Sequence, residues 1–202
     1  MRTSAFILFL SALVAVGCSK ASDSKPSGTS DAGDKFQKRT IRAEDSKIEF
    51  VGTKKPKGKY DGGFKSIGVN INPFPTNDND LVKCKIDVGI DTYSLQADDP
   101  KLAALLKSPE FLDGGKYPKV TFVSSRIEAE KSGENTHKIT GDLTMHGKTK
   151  TITVPAKVAV TPEAVTITSQ FKINRHDFDI SYGKGQIDDD VTIKAELRVM
   201  KQ

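Results

Sequence analysis

Residues 137–160 alternate apolar and polar side chains on both sides of a short glycine turn. Such period-two alternation predicts two strands, each with one buried and one solvent-exposed face. A two-residue loop at Gly147-Lys148 would suit a type II′ turn, because glycine tolerates a positive φ at the first central position. That loop predicts that Leu143 pairs with Ile152, so that the apolar faces of both strands point the same way.

The same alternation recurs along most of the chain from residue 40 onward. It is very regular near the C-terminus, where Val191, Ile193 and Ala195 alternate with Thr192 and Lys194. Short strands with one apolar face, separated by turn residues, are typical of an antiparallel sandwich or barrel. The eight predicted strands are 47–53, 59–71, 81–93, 118–129, 137–146, 149–160, 164–174 and 187–200.

One segment has a helical pattern instead. Asp99 precedes Pro100, and this pair is typical of an N-cap followed by the first residue of a helix. Leu102, Leu105 and Leu106 follow at helical spacing. We therefore expect a short helix in a long connection, where it either covers one end of the sheet or packs as an ordinary core helix.

The N-terminal residues 1–17 have the features of a secretory signal peptide. Their apolar segment, 5–16, is shorter than the roughly 20 residues of a membrane-spanning helix. The following Cys18 ends a sequence that resembles the lipobox of bacterial lipoproteins, in which this cysteine is acylated. Cleavage by an ordinary signal peptidase is the alternative.

A polar segment separates Cys18 from the first predicted strand. Residues 18–39 are rich in Ser, Asp, Lys and Gly, so they cannot bury enough apolar surface to fold. We predict a lipidated Cys18 on a flexible tether, followed by one β-barrel domain over 40–202.

Charge and cysteine content exclude several classes of protein. The formal net charge is +5, and its basic residues are interspersed with acidic ones, so nothing favours nucleic-acid binding. If Cys18 carries lipid, the second cysteine, Cys84, has no disulfide partner in the chain. Cys84 shares strand parity with Val82 and Ile86, and we expect a small inward-facing hydrophobe rather than a reactive thiol.

The sequence contains no recognisable catalytic or metal-binding motif. Its three histidines, His137, His146 and His176, are too dispersed for a metal cluster. If Arg175-His176-Asp177 lies in a strand, His176 points away from both neighbours and no catalytic group forms. The run 188–190 is expected to be a solvated turn, because it lacks the spaced ligands of a calcium loop. We therefore predict no catalytic residue, no metal site, no cofactor and no enzymatic activity.

Several ordered segments resemble the YceI-like family, secreted bacterial proteins with a lipocalin-like barrel that binds polyisoprenoid-type lipids. One departure is Asp179, which stands where the family commonly has glycine after Asp-Phe. The matching segments are Ser46–Phe50, Gly63-Phe64, Ile86–Val88, Thr92–Ser94, Lys107–Asp113, Tyr117–Phe122, Thr140–Lys150 and Ile173–Phe178.

The resemblance implies an all-β, eight-stranded antiparallel barrel with a short helical insert in a long loop. It also implies an apolar ligand, such as a polyisoprenoid, a quinone or a fatty-acyl chain, in the barrel lumen. Phe111 and Leu112 are expected to form a lid. The candidate lumen residues are Phe50, Phe64, Val88, Ile90, Phe111, Phe122, Leu143, Ile152, Phe171 and Ile173.

Two functions lead on the sequence alone, and a hydrolase with an unrecognised site is a third, weaker alternative. The protein is either a membrane-tethered lipid-binding protein of the bacterial envelope facing the periplasm, or a filled barrel serving as a structural or stress-linked envelope module. An eight-stranded barrel is just wide enough for either a packed core or one small ligand. The sequence leaves the ligand, the choice of membrane and the oligomeric state open, a dimer included.

Overall fold

The computed structural model describes residues 46–132 and 134–201, and the predicted signal peptide, Cys18 and tether lie outside them. Within this range the chain is built from strands, one α-helix (α1, Pro100–Lys107) and three 3₁₀ turns, Asp78–Lys83, Thr92–Ser94 and Arg175–Phe178. The strands are β1 (Lys47–Thr53), β2 (Lys59–Phe64), β3 (Ile67–Asn72), β4 (Lys85–Asp91), β5 (Leu95–Ala97), β6 (Lys119–Ser132), β7 (Asn135–Met145), β8 (Lys148–Val160), β9 (Ala164–Asn174) and β10 (Asp190–Met200).

All ten strands belong to one curled antiparallel sheet, in the order β3-β4-β6-β7-β8-β9-β10-β1-β2-β5. Its two ends are connected through the chain, because β3 continues β2 and β5 continues β4 after short breaks. The breaks face each other: Lys65 N donates to Ser94 O over 3.2 Å, and Asp91 N donates to Ser66 O over 3.0 Å. The predicted strand 59–71 is therefore bent into β2 and β3, and β5 lies beyond the predicted strand 81–93, so the sheet has ten strands rather than the predicted eight. The predicted all-β, lipocalin-like barrel is confirmed.

The bend after β4 has a local cause. The Asp91 side chain accepts a hydrogen bond from Tyr93 N over 2.9 Å and caps the turn Thr92–Ser94. Thr92 is buried and its hydroxyl donates to Tyr117 O over 2.9 Å, which holds the turn against the start of β6. The predicted strand 81–93 did not anticipate this turn.

The first residues of that predicted strand are also helical rather than extended. Asn77 caps the 3₁₀ turn Asp78–Lys83 by accepting from two backbone N–H groups. Leu81 is fully buried at 0% exposure, whereas Val82 is 41% exposed, so the inward position predicted for Val82 is wrong. Cys84 is half-buried, as its parity suggested, and burial raises the pKa of its thiol.

The two ends of the barrel differ. At one end, here called the packed end, the 3₁₀ turn with Leu81 and the connection 161–163 close over a continuous core. At the other, the open end, lie the connections 54–58, 146–147 and 175–189 together with α1. The core of the packed end and middle consists of Ile48, Ile67, Val69, Ile71, Leu81, Ile86, Val88, Ile127, Ile139, Val154, Ala156, Val158, Val165, Ile167, Ala195, Leu197 and Val199.

The hairpin of β7 and β8 keeps its predicted buried face but not its predicted register. Leu143 lies opposite Lys150, not Ile152, and the two loop residues are His146 and Gly147. Both have positive φ, 51° and 73°, as in a type I′ turn. A slip of two residues leaves every side chain on its own face, so alternation could not distinguish the two registers.

Tertiary contacts select the observed turn. The His146 Nδ1 donates to Phe178 O over 2.9 Å, and its ring meets the edge of Tyr117 at 5.4 Å. A Cβ on Gly147 would lie 2.6 Å from the Tyr117 ring, so this position requires glycine. The predicted type II′ turn at Gly147-Lys148 is therefore wrong.

Candidate functional site

A cavity of about 470 Å³ lies at the open end of the barrel. Its floor and walls are inward-facing side chains of the strands, and α1 and the loop 179–189 lie over it. This volume is within the range of about 300–1,000 Å³ that is typical of small-molecule sites. The lining residues are Phe50, Gly52, Lys54, Tyr60, Phe64, Leu95, Leu102, Leu105, Leu106, Phe111, Leu112, Met145, Ile173, Arg175, Ile180, Tyr182, Gly183, Gln186, Ile187, Val191 and Ile193.

Two phenylalanines shape one wall of the cavity. Phe50 of β1 and Phe64 of β2 have ring centroids 6.0 Å apart with tilted planes. Phe50 lies across Gly62, where a Cβ would come within 2.6 Å of the Phe50 ring. The glycine therefore allows the aromatic ring to lie flat against the backbone of the neighbouring strand.

Helix α1 supplies an aliphatic wall of the cavity. Asp99 accepts from Lys101 N over 2.9 Å, which confirms the predicted N-cap. The spacing of Leu102, Leu105 and Leu106 places all three on the face turned to the cavity. The helix therefore covers the open end of the sheet, one of the two roles that the sequence had left open.

An aromatic pair lies at the cavity mouth, defined here as the place where the lining residue Tyr182 is exposed to solvent. Phe111, which follows α1, is buried, and its ring lies 5.1 Å from that of Tyr182 in the loop 179–189. Leu112 also lines the cavity. This pair links the two segments that cover the open end.

Arg175 holds the loop 179–189, which covers the cavity together with α1. It is buried, with 3% exposure, and donates to four backbone carbonyl groups and to Asp189. A guanidinium has five N–H donors, and all of them are used. Arg175 therefore borders the cavity without offering it a free hydrogen-bond donor, and its role is to fold the loop.

The backbone at Arg175 corrects one prediction. Residues Arg175–Phe178 form a 3₁₀ turn, not a strand. As a result His176 and Arg175 both contact the same carboxylate oxygen of Asp189, at 2.7 and 3.2 Å. The hydrogen bond from His176, followed by the charges of His176 and Arg175, lowers the pKa of Asp189.

The turn ends at Asp179 in a left-handed conformation, with φ of 58°. Glycine adopts this conformation most easily, and Asp, like Asn, enters it more readily than most other residues. Lys148 Nζ lies 2.9 Å from the Asp179 carboxylate, and this hydrogen bond lowers the pKa of Asp179. The ion pair ties the hairpin of β7 and β8 to the cover of the cavity.

The lowered pKa of Asp189 predicts a pH dependence of stability. The ionised carboxylate stabilises the folded state, so its contribution is complete above the unfolded pKa of about 4 and is lost as the pH falls through the folded value. Between about pH 7 and 3, the stability advantage of the wild type over Asp189→Asn should therefore shrink as the pH falls below about 4. Urea unfolding over this range measures it, and a difference that stayed constant into the acid range would contradict the assignment.

The ten predicted lumen residues fall into two groups. Phe50, Phe64, Phe111 and Ile173 line the cavity. The others pack in the core beneath it. Leu143 is buried in a smaller core that also contains Phe111. Three residues pack between this core and the larger one: Ile90, Phe122 and Ile152. Val88 and Phe171 belong to the larger core.

Several lining residues were not predicted. Val191 and Ile193 share the inward parity of β10, so the alternation of that strand could have indicated them. Ile180, Tyr182 and Ile187 lie in an irregular loop without periodicity. The pattern of apolar and polar residues around Arg175 does not indicate that its side chain is buried and holds this loop over the cavity.

Polar chemistry is sparse around the cavity. Across residues 46–132 and 134–201, no three His, Cys, Asp or Glu side chains are grouped so that they could hold a metal ion. Within the same described part of the chain, no helix has the length and apolarity that a transmembrane span requires. What the site offers is an apolar, partly covered volume.

A curled antiparallel sheet, packed at one end and hollow at the other, defines the lipocalin-like class of β-barrels. The chain belongs to the YceI-like domain family, whose model matches residues 40–199. This confirms the family that the sequence motifs indicated.

Curated relatives match only part of their length. A UPF0312 protein of Vibrio parahaemolyticus is 34% identical over 84 residues, which are 42% of this chain and 43% of that protein. A UPF0312 protein of Pseudomonas putida is 43% identical over 72 residues, 36% of each. The matched segment thus spans less than half of these relatives.

Solved structures share the fold over most of the chain. BcnA of Burkholderia cenocepacia has a TM-score of 0.69 at 26% identity, covering 79% of this chain and 99% of BcnA. A YceI protein of Campylobacter jejuni has a TM-score of 0.60 at 24% identity, covering 70% of this chain and 84% of that one. A polyisoprenoid binding domain from Saccharophagus degradans has a TM-score of 0.61 at 13% identity, covering 78% and 94%.

Proposed function

We propose that this protein binds one apolar lipid chain, a polyisoprenoid, a quinone or a fatty-acyl chain, in the cavity at the open end of its barrel. The observation that carries this proposal is the cavity itself, about 470 Å³ lined mainly by aliphatic and aromatic side chains. The polyisoprenoid binding domain from Saccharophagus degradans shares the fold, which supports the proposal.

The binding energy comes from removing the chain from water. Each buried methylene contributes about 0.8 kcal/mol, so about ten buried carbons contribute roughly 8 kcal/mol before the costs of ordering and association. A longer chain need not be fully enclosed, because Tyr182 both lines the cavity and is 42% exposed to solvent. The apolar part is held and the remainder extends outward.

A binding function fits the chemistry better than catalysis does. Arg175 is the most deeply buried charged group beside the cavity. All five of its N–H donors form hydrogen bonds with carbonyl groups of the loop or with Asp189. Among the described residues, the cavity lining contains no Ser, Cys or His that could act as a nucleophile or as its base. We infer that the ligand is stored, shielded or carried without being changed.

We further propose that the protein acts in the bacterial envelope on the periplasmic side, attached to a membrane through an acylated Cys18. This rests on the signal-like residues 1–17 and the lipobox-like sequence before Cys18. A single acyl chain anchors only reversibly, and two or more make the attachment stable. Cys18→Ser should move the protein from the membrane fraction to the soluble fraction, and unchanged fractionation would contradict the anchor.

Extraction of the purified protein with organic solvent, followed by mass spectrometry of the extract, tests the lipid-binding proposal. We expect a prenyl, quinone or fatty-acyl lipid at close to one molecule per protein. Protein purified from several hosts without bound lipid, together with no displacement of a fluorescent lipid, would overturn it. The barrel would then be a structural envelope module.

A further inference from the structure

The rim of the open end is built from two adjacent loops. The β1–β2 loop 54–58 lies beside the loop 181–187, and Lys55 N donates to Gln186 O over 2.8 Å. An isolated β-bridge between Lys54 and Ile187 continues this contact. The two loops therefore form one surface next to the cavity, which is lined by Lys54, Tyr182 and Gln186.

Within 54–58 and 181–187 every charged side chain is a lysine, whereas the carboxylates of Asp179, Asp188, Asp189 and Asp190 lie on the flanking residues. The sequence Lys54-Lys55-Pro56-Lys57-Gly58-Lys59 is exposed throughout, as is Lys184 on the adjacent loop. Lys55 pairs with Asp188 at 3.5 Å, and Lys59 pairs with Asp61 at 3.1 Å. For Lys54, Lys57 and Lys184, no carboxylate of the described residues lies within ion-pair distance. We call these three lysines the basic rim.

An exposed aromatic side chain lies on the same surface. Tyr182 is 42% exposed, although its ring also packs against Phe111 at the cavity mouth. Tyrosine, with an apolar ring and a polar hydroxyl, is enriched where a protein meets the headgroup region of a membrane. The combination of three lysines outside ion pairs and an exposed tyrosine matches the chemistry of an anionic bilayer surface.

We propose that the basic rim and Tyr182 dock the open end of the barrel onto a membrane rich in anionic lipid. Docking in this orientation places the cavity mouth at the headgroup layer, so that an apolar chain passes between bilayer and cavity with little exposure to water. This inference rests on the proposed lipid-binding function and adds the surface through which the lipid is exchanged.

The chain contains no tryptophan, so a single introduced tryptophan is a clean probe. Tyr182→Trp places it on the rim. Val82→Trp is the matched control, because Val82 is 41% exposed, close to the 42% of Tyr182, and lies at the packed end. Each full-length variant is mixed with vesicles of brominated phosphatidylcholine, with or without phosphatidylglycerol, and quenching of the tryptophan is measured.

We expect strong quenching of Trp at 182 when phosphatidylglycerol is present, and little quenching of Trp at 82. High salt should abolish the quenching at position 182, because the electrostatic screening length falls to about 3 Å at 1 M. Replacing Lys54, Lys57 and Lys184 by Gln should raise the anionic lipid needed for half-maximal quenching roughly 100-fold. The control triple variant Lys83→Gln, Lys157→Gln and Lys201→Gln removes the same charge elsewhere and should have little effect.

Equal quenching at positions 82 and 182 would overturn the docking proposal. So would quenching at position 182 that depends on neither phosphatidylglycerol nor salt. The second result would mean that brominated lipid enters the cavity without docking through the rim. Lipid in the organic extract combined with an unquenched tryptophan at 182 would reject docking and leave lipid binding standing. The opposite combination, docking without extractable lipid, would count against the proposed function instead.

Discussion

Replacing Arg175 by Met should lower the free energy of unfolding by about 3–5 kcal/mol. The side chain is buried, and it donates to the carbonyl groups of Ile180, Tyr182, Ile187 and Asp188. Methionine fills a similar space but leaves these carbonyl oxygens without their partner. A hydrogen bond from a charged donor is worth about 1.5–3 kcal/mol, and the losses within one network are not additive. Urea unfolding followed by circular dichroism measures the effect.

Arg126→Met is the matched control for this prediction. Arg126 lies on the exposed face of β6 and pairs with Glu128 at 2.8 Å, with side-chain exposures of 69% and 45%. Exposed pairs of this kind contribute at most about 1 kcal/mol. Equal losses for Arg175→Met and Arg126→Met would contradict the role assigned to Arg175.

Arg175→Lys provides a second comparison. Lysine keeps the positive charge but offers a compact ammonium group instead of a planar fork of five donors. If the fork holds the loop, Arg175→Lys should lose nearly as much stability as Arg175→Met. Recovery of most of the stability by lysine would show that charge alone suffices.

Replacing Val191 by Phe should weaken the binding of a fluorescent fatty-acyl lipid by tenfold to hundredfold. Val191 lines the cavity on the inward face of β10, opposite Ile173. A phenyl ring there occupies volume that ligand carbons need, and excluding about three methylenes costs about 2–3 kcal/mol. Titration of each purified variant with the fluorescent lipid gives the dissociation constants.

Val123→Phe makes the same change on the other face of the sheet. Val123 lies opposite Asp87 and Asp142 and alternates with the inward Phe122 along β6. Binding by this variant should equal that of the wild type. Similar weakening in both variants would show that the effect comes from stability rather than from the cavity, and unchanged binding by Val191→Phe would place the ligand elsewhere.

Most of the barrel could be predicted because its strands have one buried face. Side-chain alternation specifies which residues point inward, and the structure confirms this for Ile139, Leu143, Met145, Val154 and Ala156. The N-cap of α1 could also be predicted from the sequence, because Asp99 and Pro100 act on the neighbouring backbone.

Features that depend on contacts distant in sequence could not be predicted in this way. The register of the β7–β8 hairpin depends on Tyr117 and Phe178, which contact Gly147 and His146 from other elements. A slip by two residues preserves the buried face, so the hydrophobic pattern is the same for both registers.

The location of the cavity is a second example. Phe122 and Phe50 have the same inward parity in their strands, yet Phe122 packs between the two cores and Phe50 lines the cavity. Depth along the barrel decides between these outcomes, and parity carries no information about depth. The loop 179–189 that covers the cavity is held together by hydrogen bonds from the buried Arg175. Nothing in the sequence around Arg175 distinguishes it from an ordinary exposed arginine.

Photochemical labelling shows directly whether the cavity at the open end holds the lipid. A fatty acid with a diazirine in its acyl chain is bound to the full-length protein, activated by light, and the labelled residues are identified by mass spectrometry of peptides. We expect labels on Leu105, Ile173 and Ile193, which converge on the cavity from α1, β9 and β10. Excess unlabelled fatty acid should remove these labels, and Val191→Phe should reduce them. Labels confined to the outer face of the sheet or to the packed end would contradict the claim that the open-end cavity holds the lipid.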